Sequence, residues 1–231
     1  MHLPPTHPHI TGPEAFAAAF PVSRETLDRL SLYADLLGQW GRVQDLVAPS
    51  TLDDIWHRHI ADSAQVFPLG QGAKTWADLG SGAGFPGLVI AIMARDMPGF
   101  KMHLIEASNR KCSFLREVAR RTGAPVDILC MRIEELATQR TVVPVEFVTA
   151  RALAPLASLL GLAKPLLRDT TRALFLKGRD ASKEVSEARK VWRFESELTA
   201  SRTDPEGRIV EIWNLKSLEA THDGDQSGTG E

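Results

Sequence analysis

Apolar residues recur at Leu27, Leu30, Ala34, Leu37 and Trp40, three or four positions apart. That spacing predicts a helix buried along one face, capped by Ser23 and running through Gln39 or Trp40. A second helix is expected from a cap at Ser50 or Thr51 to about Val66, with Arg58 and Asp62 one turn apart and able to pair. After Gly70-Gln71-Gly72 the period changes. Short strands are expected at Thr75–Leu79, Met102–Glu106, Val126–Cys130, Glu146–Thr149 and Ala173–Leu176, then near Phe194–Thr199 and Arg208–Leu215. Between them helices are expected at Gly87–Ala94, opened by Pro86, at Ser108–Arg121, near Glu134–Thr138, at Leu156–Leu167 and near Ser182–Lys190. Strands alternating with helices imply an α/β fold with a mainly parallel sheet and helices on both faces. Asp204-Pro205-Glu206-Gly207 reads as the turn between the last two strands.

Composition narrows the class. The chain has 231 residues, 43% apolar and 24% charged, enough to bury a core without staples. Cys112 and Cys130 form no CxxC and no zinc-ligand spacing, so neither a disulfide scaffold nor a metal centre is expected, and the default setting is reducing and cytoplasmic. The stretch Ala152–Ala163, interrupted by Pro155, is too short for a spanning helix, which needs about 20 residues. The start has no basic segment and no apolar stretch of a secretory signal. Residues 1–12 read as a flexible Pro/His-rich lead, so His2, His7 and His9 are not taken as a metal site. The formal charge of −2 depends on the end of the chain: without Thr221–Glu231, 27 bases face 26 acids. Two segments are locally basic, Lys101–Arg132 and Arg172–Arg193, each with seven bases against three acids. They suit either a polyanion contact or ordinary solvated helix faces.

The chemistry centres on Asp78-Leu79-Gly80-Ser81-Gly82-Ala83-Gly84, where a strand feeds a glycine-rich turn and then a helix. Such a turn lets the backbone approach a ligand beyond the carboxyl ends of parallel strands. Gly82–Gly87 also matches the GxGxxG dinucleotide pattern. Glu106, at the end of the next strand, is placed to accept both hydroxyls of a ribose in either kind of site. Asp78, two residues before the first glycine, tips the choice towards a cofactor with a cationic methionine end.

DLGSGAGFPG, preceded by Arg58-His59-Ile60-Ala61-Asp62-Ser63 and followed by Arg132-Ile133-Glu134-Glu135 and Thr149-Ala150-Arg151-Ala152, resembles the bacterial small-subunit ribosomal RNA guanine-N7 methyltransferases, the glucose-inhibited division protein B family. The resemblance covers about residues 23–215. It implies a seven-stranded Rossmann-like class I methyltransferase sheet with an N-terminal helical extension. The corresponding division is a flexible lead at 1–22, the extension at 23–70, an S-adenosylmethionine-binding methyltransferase domain at 71–216 and a disordered tail at 217–231. The implied reaction is methylation of N7 of guanine(527) in 16S ribosomal RNA, free or within the small ribosomal subunit, by a monomer without metal or membrane. Gly80, Gly82, Gly84 and Phe85 are then the cofactor loop, and Ile133 and Glu134 the pair along the adenine. Arg151, at the end of the fourth strand, serves both cofactor and acceptor. Asp62 is a candidate to stabilise the cationic product ring. Arg58, His59, Arg120, Arg121 and Lys177 are candidates for RNA contact. Asp45 stands where the family usually has Asn and receives no role. The remaining alternatives are a same-fold methyltransferase acting on another RNA, a protein or a small molecule, a nicotinamide-dependent oxidoreductase, and a non-enzymatic RNA-binding module.

Overall fold

In the computed structural model the described residues are 9–41, 46–137 and 144–218. Asp45, His2, His7 and the expected tail beyond Leu218 lie outside them. The first element is α1 (Pro13–Ala19), with proline in its first turn and Phe16 fully buried. It corrects the lead expected over 1–22. Seven residues are too short to display a repeating period, yet Phe16 and Phe20 stack at 4.9 Å and anchor the turn to the core. Next comes α2 (Arg24–Gly41), capped by the Ser23 hydroxyl, which accepts from Thr26 N–H at 3.1 Å.

The second expected helix is broken. Pro49–Thr51 is a 3₁₀ turn, Trp56–Ala61 is π-helical, and only Asp62–Ala64 (α3) returns to α geometry. In the π turn the Asp62 N–H reaches the carbonyl of His57, five residues back.

The sheet has seven strands: β1 (Thr75–Leu79), β2 (Lys101–Glu106), β3 (Val126–Cys130), β4 (Phe147–Arg151), β5 (Arg172–Lys177), β6 (Trp192–Ala200) and β7 (Arg208–Ser217). Their order is β3-β2-β1-β4-β5-β7-β6, with β7 antiparallel to β5 and β6 and the other pairings parallel. The chain leaves β1 for β2 on one side and returns to β4 on the other, so a crevice opens at the carboxyl ends of β1 and β4. The helices α4 (Gly87–Met93) and α5 (Asn109–Thr122) cover one face, and α6 (Leu156–Ala163) and α7 (Ala181–Ala188) the other. Leu30, Tyr33 and Leu37 of α2 share a single apolar cluster with Leu88, Leu104, Phe114 and Val118. The helical extension therefore packs on the α4–α5 face and has no separate core. Expected α6 stops four residues early, because Pro165 follows closely and favours a break. Among the described residues no helix is long and apolar enough to cross a membrane.

Candidate active site

The glycine loop is built by hydrogen bonds to its own neighbours. Ser81 N–H donates to Ile105 O at 3.0 Å, Gly84 N–H to Ser81 O at 2.7 Å, and Gly82 N–H to Glu106 Oε2 at 2.9 Å. Gly84 has φ +101°, and a Cβ there would meet Leu88 at 2.5 Å and the Tyr33 hydroxyl at 2.8 Å. Gly82 has φ +58° and open space where a Cβ would stand, apart from the Gly80 carbonyl at 3.8 Å. The other Glu106 oxygen accepts from Ser108 N–H at 2.8 Å. Each carboxylate oxygen thus has one of its two lone pairs engaged by backbone and one left for a ligand. A backbone left bare at Gly82 beside a half-committed carboxylate fits a ribose with two neighbouring hydroxyls.

Asp78 corrects the expectation placed on it. Its side chain is wholly buried and turned inward: Oδ2 accepts from Gly87 N–H at 3.2 Å and Oδ1 from the Thr149 hydroxyl at 2.9 Å. Burial raises its pKa to about 6, against the opposing hydrogen bonds from Thr149, Ser81 and Gly87 and the charge of Arg151. Asp78 fastens the loop to α4 and β4 and offers no accessible atom to a cationic ligand. Ile133 opens the turn after β3, nearly buried in the cluster that holds Leu79 and Ile105. Glu134 beside it is exposed and pairs with Arg132 at 3.3 Å.

Arg151 is the last residue of β4. Its Nη1 donates to Arg58 O at 2.8 Å and to Asp62 Oδ2 at 3.1 Å, and its Nη2 lies 2.8 Å from His59 Nδ1. The π turn explains the first contact, because the Asp62 N–H bonds to His57 O and to His59 O and leaves Arg58 O for the guanidinium. Asp62 therefore pairs with Arg151, not with Arg58 as the helical spacing suggested. The Asp62 Oδ1 accepts from Gln65 at 2.9 Å and from the Thr203 hydroxyl at 2.8 Å, so this carboxylate is the hub of a hydrogen-bonded network. Arg58 stays exposed, and among the described residues it has no ion-pair partner. Phe85 joins the two halves of the site. Its ring stacks on Tyr33 at 5.3 Å and on His59 at 4.8 Å, and the Arg151 guanidinium lies 5.0 Å from its centroid.

A cleft of about 970 Å³ opens beside Arg151, beyond the ends of β4 and β5, bounded by Arg58, Asp62, Leu153, Lys177, Thr203 and Arg208 among others. It lies next to the glycine loop and does not include it. Leu153 makes the link, since a Cβ on Gly80 would stand 2.7 Å from it. Lys177 reaches this cleft but is not free for RNA. Its ammonium is nearly buried, donating to Ala154 O at 2.6 Å and to Glu184 at 2.8 Å, and Glu184 also accepts from Leu156 N–H. The pair clamps the loop that follows Arg151, where Ala152 has φ +50°.

Arg120 and Arg121 are not brought to the site. α5 leaves β2 at the site edge and runs back antiparallel to the strands, so its last turn lies at the opposite edge of the sheet, roughly 15 Å from its first turn at 1.5 Å per residue. Glu117 also binds Arg120 through both oxygens, at 3.0 and 2.8 Å, and approaches Arg121 at 3.8 Å. Sequence reasoning missed Tyr33, His57, Gln65, Thr149 and Thr203. Each has a partner 50 to 146 positions away that no local spacing announces, although Gln65 also donates to Asp62 three positions back.

The family profile described as rRNA small subunit methyltransferase G matches residues 26–206. Curated proteins named "Ribosomal RNA small subunit methyltransferase G" include one from Parvibaculum lavamentivorans, 47% identical over 93% of this chain and 95% of its own length. Another, from Rhodospirillum centenum, is 52% identical over 85% of this chain and 88% of its own. Among solved structures, the O-methyltransferase TomG from Streptomyces achromogenes in complex with SAM superposes with a TM-score of 0.56 at 13% identity, covering 85% of this chain and 92% of that one. An O-methyltransferase from Bacillus cereus in complex with SAH gives 0.55 at 13% identity, over 87% and 96%. These two share the fold, a class I methyltransferase sheet, and the sequence relatives share most of the chain from end to end. With the glycine loop, the π turn and Arg151 all falling inside the matched span, the chain belongs to the rRNA small subunit methyltransferase G family.

Proposed function

We propose that this chain transfers a methyl group from S-adenosylmethionine to N7 of guanine(527) of 16S ribosomal RNA, acting in the cytoplasm as a single chain. The observation that carries the reading is the position of Arg151. It ends β4 between the glycine loop, which it meets through Phe85, and the open cleft, which it borders. Gly80, Gly82 and Gly84 would hold the cofactor's backbone-facing side, Glu106 its ribose, and Ile133 with Glu134 its adenine. Phe85 supports that loop from below, held by Tyr33 of the extension.

When bound, S-adenosylmethionine supplies an electrophilic methyl group. Guanine N7 carries a free lone pair at neutral pH, so no proton must leave first and the chain need supply no general base. The work of its residues is alignment, which contributes roughly 7–11 kcal/mol in favourable cases. Arg151 presents a planar fork of donors that suits O6 of guanine or a flanking phosphate and leaves the N7 lone pair for the methyl group. Asp62 acts on the developing positive charge only through Arg151 and the network it anchors. Arg58, exposed at the cleft mouth, is the RNA contact this site offers.

The test is to incubate the purified protein with tritiated S-adenosylmethionine and either naked 16S rRNA or small subunits. Borohydride and aniline then cleave the RNA at N7-methylguanine. A single cut at guanine(527), with tritium retained on the RNA, is the expected result. Labelled RNA without aniline cleavage would place the methyl on another atom and overturn the assignment.

A further inference from the structure

We propose that His59 is a positioning residue for Arg151, locked in one tautomer by Thr51. The proposal rests on the reading of Arg151 as the residue that orients the acceptor. A guanidinium has donors only, so the 2.8 Å contact from Arg151 Nη2 requires a lone pair on His59 Nδ1. The ring proton must then sit on Nε2, which lies 2.9 Å from the Thr51 hydroxyl. That hydroxyl can accept it, because its own proton goes to Ala48 O at 2.7 Å. Every bond in the series Arg151 to His59 to Thr51 to Ala48 therefore has a fixed direction.

The surroundings keep the ring neutral and still. His59 is 8% exposed and stacks on Phe85 with an interplanar angle of 20°. Burial, then the charges of Arg151 and Arg58, depress its pKa to about 3. The division of labour follows from charge. Asp62 supplies the one carboxylate at Nη1, and Gln65 and Thr203 share it. Asp62 already balances the guanidinium, so a second carboxylate at position 59 would make the cluster net negative and repel an anionic partner. A neutral imidazole fixes the orientation of Nη2 and adds no negative charge.

Two variants separate acceptor from ring. In His59→Asn the amide oxygen takes the place of Nδ1 and can still accept from Arg151. In His59→Gln the amide lies out at the Nε2 position and leaves Nδ1's place empty. The first readout needs no cofactor or RNA. In protein labelled with ¹⁵N-arginine, the Arg151 guanidinium resonances are identified by their absence from Arg151→Lys. Wild type and His59→Asn should show separate signals for the two Nη2 hydrogens, because the bond to position 59 hinders rotation about Cζ–Nη2, and His59→Gln a single averaged one, while Nη1 stays held by Arg58 O and Asp62 in all three. The second readout is single-turnover methyl transfer to 16S rRNA. His59→Gln should be slower by at least about tenfold, with affinity for S-adenosylhomocysteine within about threefold, and His59→Asn should recover most of the rate. Thr51→Val should move in the direction of His59→Gln and Thr51→Ser should restore wild-type behaviour, a comparison that decides the matter should His59→Gln fail to fold. Hindered Nη2 rotation in His59→Gln, or wild-type transfer by it, would overturn the proposal. If wild type itself leaves rRNA unmethylated, the functional reading fails, and the resonance comparison still decides whether His59 holds Arg151.

Discussion

Asp78 and Thr149 stand opposite each other on β1 and β4, and their side chains meet in a place water does not reach. The folded pKa of Asp78, about 6, is above its ordinary value of 3.8, so the folded chain holds this proton more tightly than the unfolded one. Stability then falls as pH rises from about 4 to about 6, and above that the buried charge costs about 3 kcal/mol. Asn at this position is neutral and can satisfy both partners, accepting from Gly87 N–H and donating to the Thr149 hydroxyl. Asp78→Asn should therefore be more stable than wild type in urea melts at pH 7.5, with the advantage shrinking towards pH 4. Lower stability at pH 7.5 together with a large loss of S-adenosylhomocysteine affinity would show instead that the charge itself serves the ligand. Glu106 behaves differently, because half of its acceptor capacity remains for a ligand. Glu106→Ala should weaken S-adenosylhomocysteine by roughly 1.5–3 kcal/mol in calorimetry, the value of charge-assisted hydrogen bonds. An unchanged affinity would reduce Glu106 to a fastener of the loop.

At the level of elements, the strands and most helices were legible because their periods are local. The β-strands fall within one or two residues of the expected spans, and Ser23 and Ser108 cap the helices that follow them. The π turn at Trp56–Ala61 was not legible, since its hydrogen bonds differ from α-helical ones by a single residue and leave the apolar spacing almost unchanged. That turn nonetheless decides which carbonyl and which carboxylate Arg151 receives. The basic character of α5 was legible and its direction of use was not. Counting charges ranks Arg120 and Arg121 with Arg110 and Arg116. The fold puts the first two at the far edge of the sheet beside Glu117. Arg110 and Arg116 are exposed nearer the site, and among the described residues neither has an ion-pair partner. Replacing Arg110 and Arg116 together by Ala should weaken RNA binding and lower the slope of log affinity against log salt by about 2, one for each phosphate left without its arginine. The Arg120/Arg121 double variant should change little. Fluorescence anisotropy over a salt series checks this, and equal losses from the two pairs would mean that RNA runs along the whole helix.

Across the whole molecule, the site is a joint between parts distant in sequence. The glycine loop and Glu106 come from the first half of the sheet and the cleft from the second. The extension supplies Tyr33, His59 and Asp62 to hold both. Sequence motifs located the loop, Glu106 and Arg151, because each sits at a strand end where the α/β architecture concentrates ligands. They could not show that Asp78 and Lys177 face inward, since burial is a property of packing and not of spacing. Nor could they connect Gln65 and His57 to Thr203, which lies on the β6–β7 turn more than 130 positions away. The central claim is that this joint aligns acceptor and methyl donor through Arg151. Single-turnover methyl transfer to 16S rRNA by Arg151→Ala, read by borohydride–aniline cleavage, tests it most directly. The variant should fold, keep most of its S-adenosylhomocysteine affinity and lose transfer by at least about a hundredfold, with Arg151→Lys recovering little. Transfer by Arg151→Ala at near wild-type rate would contradict the account and leave Arg151 as an ion-pair partner of Asp62 alone.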